Sequence, residues 1–130
     1  TDSGSAMASF GVSYKSDGSD FNKIFNYKIL GLSIDEAIKN FNLETPNYIK
    51  IDVDGIEHLI LSGGLKVLSE VDEILVEVDE KFETQVEKVK SILGKSGLKY
   101  SGKYQSLMMQ KANKKNRTFN QVWKRNLWKF

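Results

Sequence analysis

Residues 46–64 read Pro-Asn-Tyr-Ile-Lys-Ile-Asp-Val-Asp-Gly-Ile-Glu-His-Leu-Ile-Leu-Ser-Gly-Gly, and this stretch decides the fold. Residues 48–53 are rich in β-branched side chains and predict a strand that ends at Asp54-Gly55. Apolar residues then recur at helical spacing over 56–61, and Gly63-Gly64 interrupts the helix before it resumes. The stretch therefore predicts a strand followed by a broken helix.

The neighbouring segments extend this pattern in both directions. Upstream, Ser33 and Glu36 have the spacing of a capping box at the start of a helix. This helix is predicted to end before Pro46, because the residue before a proline disfavours the helical conformation. Downstream, residues 73–78 predict a second strand, and residues 82–93 predict a long helix that Gly97 ends. Because strands and helices alternate, we expect an α/β fold with parallel strands.

The first third of the chain carries weaker signals. Residues 3–14 alternate apolar and polar side chains near their end, which predicts a strand with one buried face. Residues 15–20 contain Asp17-Gly18 and predict a turn. Residues 27–32 indicate a second extended run that leads into the capping box.

The end of the chain predicts an antiparallel strand pair. Residues 99–104 and 119–125 have strand character, and the polar residues 110–118 lie between them. The chain has 130 residues, of which 40% are apolar, and this length suits one domain with one core. The sequence therefore predicts a single α/β domain that closes with an antiparallel pair.

Charge is distributed unevenly along the chain. All 17 acidic residues lie in residues 1–87 beside seven basic ones, whereas residues 88–130 hold twelve basic residues and no acidic one. Such a basic half suits an anionic partner, including the phosphates of a nucleic acid. We favour a solvated loop that the acidic half partly neutralises over nucleic-acid binding. A non-catalytic module with an anionic partner stays open as an alternative.

Composition also limits the compartment and the chemistry. The chain has no cysteine and one histidine, so disulfides and thiolate metal sites are excluded and no metal site is expected. No run approaches the roughly 20 apolar residues of a membrane span, and residues 1–9 lack the features of a signal peptide. We therefore expect a soluble, cytoplasmic protein without membrane contact.

Carboxylates follow the two best predicted strands. They are Asp52, Asp54, Glu57, Glu77 and Asp79. Ligands of open α/β sheets bind outside the carboxyl ends of the strands, so these side chains form a candidate site. Strand alternation places Asp52 on the face of Lys50, near buried surroundings where an unpaired carboxylate is costly. Lys50 is the simplest partner for it.

Three residues at this position also have structural interpretations. Asp54 precedes a helix and has the character of an N-terminal cap, and Glu57 in the first turn favours the helix dipole. His58, the only histidine, is either an exposed or capping side chain or a general base. Sequence alone leaves these alternatives open.

Residues 49–55 invite comparison with haloacid-dehalogenase-type phosphatases. The first strand of that family ends in Asp-x-Asp-Gly with an aspartyl nucleophile, as Asp52 and Asp54-Gly55 do here. However, 51 residues precede Asp52, Ile56 stands where that family continues with Thr, and residues 88–130 offer no carboxylate for its metal. A metal-dependent phosphohydrolase is therefore the weaker alternative.

Residues 46–64 resemble more closely the signature of FkbM-type methyltransferases. That signature is a strand reading Ile-Lys-Ile-Asp-Val-Asp/Glu-Gly, then Glu, an apolar helix and a glycine-containing break. Residues 33–35, 75–77 and 120–125 resemble three further elements of the family, and residues 4–11 resemble a segment of one branch. The chain is identified on these residues as a member of the FkbM family.

The resemblance implies a Rossmann-like methyltransferase fold, S-adenosylmethionine as cofactor, and methyl transfer to a hydroxyl of a small molecule or glycan. The family's cofactor site uses a glycine-rich loop after its first strand, yet Gly-x-Gly occurs nowhere in this sequence. The resemblance therefore implies that residues 1–130 are the C-terminal portion of the domain, inactive alone. The strand at 48–53 would then have an open edge, and we expect poor stability, a homodimer or dependence on the missing half.

The resemblance also implies roles for individual residues. Asp52 and Asp54 match acidic positions beside the reactive end of the cofactor and the acceptor. Asp54 with His58, and Glu57 beside them, are the candidates for acid–base catalysis, whereas Asp52 and Glu77 are the candidates for cofactor binding.

Overall fold

The computed structural model describes residues 10–20, 27–105, 110 and 117–126. Within these residues, strands and helices alternate as the sequence predicts over most of the chain. In chain order the elements are α1 Ile34–Asn40, β1 Tyr48–Ile51, α2 Glu57–Ser62, α3 Leu65–Leu68, β2 Glu73–Asp79, α4 Glu83–Lys95, β3 Leu98–Tyr104 and β4 Thr118–Arg125.

The described strands form one mixed sheet in the order β1-β2-β4-β3. β1 and β2 are parallel, whereas β4 is antiparallel to both β2 and β3. The predicted α/β class and the antiparallel pair at the end of the chain are confirmed. The expected parallel pairing is present between β1 and β2. The antiparallel pairing of β4 with β2 was not predicted, and it arises because β4 lies between β2 and β3.

The core lies between one face of this sheet and the helices. Ile51 of β1 pairs with Val76 of β2, and Ile74 pairs with Trp123 of β4, so these buried residues share one face. α2 packs against α4, and α4 packs against β2 and β3. The helices complete the core with buried residues Leu61, Leu68, Val89 and Leu93.

The predicted capping box and broken helix are both present. The Ser33 hydroxyl oxygen accepts a hydrogen bond from the Glu36 backbone N–H at 3.2 Å, and the Glu36 carboxylate accepts one from the Ser33 N–H at 2.9 Å. Asp35 then accepts hydrogen bonds from the N–H groups of Lys66 and Val67, each at 3.0 Å. A side chain of α1 therefore satisfies the backbone at the start of α3, where the helix resumes after its break.

The first described segment differs from its predicted form. Of the predicted strand at 3–14, residues 3–9 lie outside the described residues, and residues 10–14 contribute only an isolated bridge between Tyr14 and Asp20. Gly11 has a positive φ of 71°, which interrupts an extended run, and the Tyr14 ring packs edge-on against Phe82 at 5.4 Å. The turn at 15–20 is confirmed by a hydrogen bond from the Gly18 N–H to the Lys15 carbonyl.

Two further segments named by the sequence analysis are residues 27–32 and residues 110–118. Residues 27–32 form no strand. Most of the polar loop at 110–118 lies outside the described residues.

Basic residues near the end of the chain serve internal contacts. The Arg125 guanidinium donates hydrogen bonds to the carbonyls of Val71, Leu68 and Ser96 at 3.0, 2.7 and 3.0 Å. Lys124 lies 3.2 Å from the Glu73 carboxylate. The Lys124–Glu73 pair agrees with partial neutralisation of the basic half by the acidic half, and the Arg125 guanidinium is occupied by backbone carbonyls.

β1 lies at one edge of the sheet. Among the described residues, no strand pairs with its free side. Tyr48 is 71% exposed, and the Lys50 side chain is also exposed, whereas Ile51 is buried.

The described residues contain no helix long and apolar enough to cross a membrane.

Candidate functional site

The turn after β1 has a backbone that few residues adopt. Asp54 has φ 60° and Gly55 has φ 106°. A non-glycine residue rarely adopts a positive φ, although Asp and Asn tolerate it better than others. A Cβ atom at Gly55 would lie 2.6 Å from the Ser16 Cα, so only glycine fits. The turn therefore presents an exposed Asp54 at the carboxyl end of β1.

Glu57 holds this turn in place. Its side chain accepts hydrogen bonds from the backbone N–H groups of Val53 at 3.1 Å and Gly55 at 3.0 Å, and from the side-chain amide of Gln85. Glu57 is 1% exposed. The N-cap position of α2 is Ile56, without a side-chain cap, so the capping interpretation of Asp54 is wrong. Glu57 instead binds the backbone that precedes its helix.

The end of β2 is tied to the same network. The Gln85 side-chain oxygen accepts a hydrogen bond from the Asp79 N–H at 2.9 Å, so Gln85 connects Glu57 with β2. Arg117 reaches the Asp79 carboxylate at 2.7 Å and the Asp17 carboxylate at 3.0 Å. The hydroxyl and N–H of Ser19, followed by Arg117, hold the pKa of Asp17 well below its ordinary value.

Sequence reasoning missed Gln85 and Arg117 as parts of this site. Gln85 lies three residues after Phe82 and four before Val89, which places it on the buried face of α4. A polar residue at such a position is a usable signal, since a buried amide needs hydrogen-bond partners. Arg117 gives no comparable signal, because its partners are distant in sequence.

Three of the candidate carboxylates meet in a small polar cavity of about 10 Å³, room for about one water molecule. Its lining residues are Ser16, Gly55, Glu57, Glu77, Asp79, Gln85 and Thr118. The prediction that the two strand ends share one rim is therefore confirmed for Glu57, Glu77 and Asp79. Across the described ranges, no group of three or more His, Asp or Glu side chains is arranged to hold a metal ion.

Asp52 lies apart from that cavity. Its side chain is 41% exposed and forms an ion pair of 2.8 Å with Lys50, and this contact raises the pKa of Lys50. The expected pairing with Lys50 is confirmed, whereas the expected buried surroundings are wrong. Asp52 directly follows β1 and its side chain is exposed, so it stays accessible to a ligand.

His58 is buried rather than exposed. It is 2% exposed, and its ring packs edge-on against Phe82 with centroids 5.7 Å apart. Its Nδ1 atom has no hydrogen-bond partner. Burial, and then the nearby charge of Lys88, lower the pKa of His58 below its ordinary value of 6.5. The exposed or capping interpretation is therefore wrong, and the role in proton transfer stays a prediction.

The burial of His58 predicts a pH-dependent stability. A lowered pKa means that the folded state favours the neutral imidazole, so the full stabilisation is present above pH 6.5. We expect the free energy of unfolding to fall as the pH decreases through 6.5 and to level off below the folded-state pKa. Urea unfolding between pH 7.5 and 5 measures this change.

The control is His58→Leu, which removes the only histidine of the chain. Its free energy of unfolding should change much less over the same range, because ordinary carboxylates titrate below it. Equal slopes in both proteins would contradict a buried neutral His58.

A family model described as the methyltransferase FkbM domain matches residues 6–104, which is about three quarters of the chain. The match includes the strained turn, Glu57 and both ends of the parallel strand pair. The chain belongs to the FkbM methyltransferase family. No curated protein and no solved structure matches it.

Membership of the FkbM family supports methyltransferase activity. The match ends at Tyr104, the last residue of β3, so the resemblance of residues 120–125 to the closing strand of FkbM proteins stays a prediction. The phosphohydrolase alternative gains no support, because Asp52 is paired with Lys50 and no metal-binding cluster lies among the described residues.

Proposed function

We propose that this FkbM domain transfers a methyl group from S-adenosylmethionine to a hydroxyl oxygen of a small molecule or glycan. The observation that carries the proposal is the turn after β1, where an exposed Asp54 has a left-handed backbone in a methyltransferase family. Strained backbone conformations of this kind cluster at functional sites, since the surrounding structure must maintain them.

In the proposed reaction, Asp54 accepts the proton of the acceptor hydroxyl. S-adenosylmethionine supplies an electrophilic methyl group on a sulfonium, which leaves as the neutral thioether. The acceptor oxygen forms the new bond to the methyl carbon as the carbon–sulfur bond breaks. Glu57 fixes the turn that presents Asp54, and such positioning supplies much of the rate. His58 is buried against Phe82, so it would influence proton transfer only from beneath this turn and not by touching the acceptor.

The chain supplies only part of a cofactor site. Asp52 is exposed directly after β1, where its carboxylate can accept hydrogen bonds from hydroxyl or ammonium groups. Glu77 lines the polar cavity, which is separate from Asp52. A glycine-rich loop, which the family uses for the cofactor, is absent from the sequence. We therefore propose Asp52 and Glu77 as cofactor contacts of a site that needs a further segment.

We propose that this further segment is the upstream half of a Rossmann-like domain and that the chain is the C-terminal portion of that domain. We propose the cytoplasm as its compartment. The edge of β1 supports this proposal, because no strand among the described residues pairs with it and an unpaired strand edge is a template for pairing. In the complete domain a strand of the upstream half would occupy this edge. In the isolated chain a second copy would compete for it, and a homodimer would result.

Calorimetry with S-adenosylmethionine tests the proposal on two proteins. We expect no measurable binding by the 130-residue chain and saturable binding by a chain extended upstream by roughly half a domain. Sedimentation of both proteins should show self-association only for the shorter one. Absence of binding by the longer chain would contradict the proposed cofactor site.

A further inference from the structure

A second cavity, larger and apolar, lies between the first described segment, the start of α1 and α2. Its volume is about 530 Å³, within the range of small-molecule sites. Its lining residues are Phe10, Gly11, Gly31, Leu32, Ser33, Ile34, Ile56, Leu59, Ile60 and Gly63. No charged side chain is among them, and the one hydroxyl, that of Ser33, already donates a hydrogen bond to Glu36.

Glycines keep the walls of this cavity close to one another. A Cβ at Gly31 would lie 2.8 Å from the Phe10 ring, and one at Gly63 would lie 2.9 Å from the Ser33 Cβ. Two large apolar side chains of the lining are open to solvent: Phe10 is 51% exposed and Leu59 is 39% exposed. Covering these side chains with an apolar ligand removes their surface from water and favours binding.

The cavity lies next to the turn that presents Asp54. Ile56 lines the cavity and follows Asp54 by two residues, which limits the backbone between them to about 7 Å. The first described segment contributes Phe10 to this cavity and Ser16 to the covering of Gly55. The backbone of Asp54 therefore lies within about 7 Å of a residue that lines the cavity.

We propose that this cavity binds the apolar body of the methyl acceptor, so that the acceptor is an uncharged alcohol with a ring-sized apolar portion. The proposal rests on the proposed function, because the reacting hydroxyl is placed at Asp54. The described residues of the lining include no charged group, which disfavours a bare glycan, because its hydroxyls would lose their hydrogen bonds to water there.

Titration with 2-naphthol, followed by methyl-resolved NMR of the 130-residue chain, tests the proposal. We expect saturable shifts of the methyl groups of Leu32, Leu59 and Ile60, and none with methyl glucoside. Leu59→Trp should weaken naphthol binding at least tenfold by filling the cavity. The matched control is Leu65→Trp, because Leu65 is 54% exposed on α3 and outside the cavity.

Leu32→Trp provides a second cavity variant outside every helix and strand, and it decides the result if Leu59→Trp fails to fold. Absence of saturable shifts in the unsubstituted chain would overturn the proposal, as would binding that both cavity variants retain. The titration involves no cofactor and no turnover, so failed methyl transfer by the complete domain would be recognised separately.

Discussion

We expect Asp54→Asn to lower the turnover of the complete enzyme by about 10²- to 10⁴-fold, the range for loss of a general base. Asparagine keeps the size of the side chain and tolerates the positive φ of this position, so the turn is retained. The amide cannot accept the hydroxyl proton, so the variant should lack the proton transfer that we propose for Asp54. Initial rates at saturating methyl donor and acceptor measure the effect, and urea unfolding checks that the stability is unchanged.

Asp20→Asn is the matched control for this substitution. Asp20 is an exposed aspartate in the first described turn, and its replacement removes the same charge away from the end of β1. We expect its turnover to match that of the unsubstituted enzyme. If Asp54→Asn also retained full turnover, Asp54 would have no part in the chemistry.

Glu57→Ala should cost the fold about 3 kcal/mol or more in the free energy of unfolding. The carboxylate accepts hydrogen bonds from two buried donors, in Gly55 and Gln85, and from the partly buried N–H of Val53. Each buried donor left without a partner costs about 1–3 kcal/mol. The midpoint of urea unfolding should therefore fall sharply, with the slope of the transition retained. Glu57→Gln should recover part of the loss, because it keeps one acceptor oxygen.

A double-substitution cycle separates this network from a general effect of the truncated side chain. Gln85→Ala combined with Glu57→Ala should cost less than the sum of the two single changes, since each removes the same hydrogen bond. Glu83→Ala, an exposed residue in the first turn of α4, should change the stability by less than 1 kcal/mol. Additive costs at Glu57 and Gln85 would show that the two side chains are not coupled.

Local patterns sufficed for most elements of the chain. The capping box at Ser33 and Glu36, the glycine break at Gly63-Gly64 and the helix stop at Gly97 each depend on residues a few positions apart. Strand order could not be predicted in the same way. The position of β4 between β2 and β3 depends on pairing between residues far apart in sequence, such as Glu73 and Lys124, which are 51 positions apart. No local signal specifies this pairing.

The candidate site shows the same division. The placement of Asp54, Glu57 and Glu77 near the strand ends follows from topology, because parallel strands end at one rim. Their burial does not follow from it. Asp52 is exposed directly after β1, whereas His58 is buried because Phe82, at the start of α4, packs against it. Such differences arise from packing between segments distant in sequence.

The interior position of β4 also constrains how the protein is made. A ribosome that has released residues up to 105 has produced β2 and β3, yet both still lack the strand that lies between them. Until β4 is synthesised, β2 and β3 each have an unpaired edge where β4 would pair, and the nascent chain is vulnerable to chaperone capture or aggregation. Messenger RNAs with a stop codon before the codon for Thr118 should therefore yield products that cellular quality control removes, even though they encode the whole of the turn that presents Asp54.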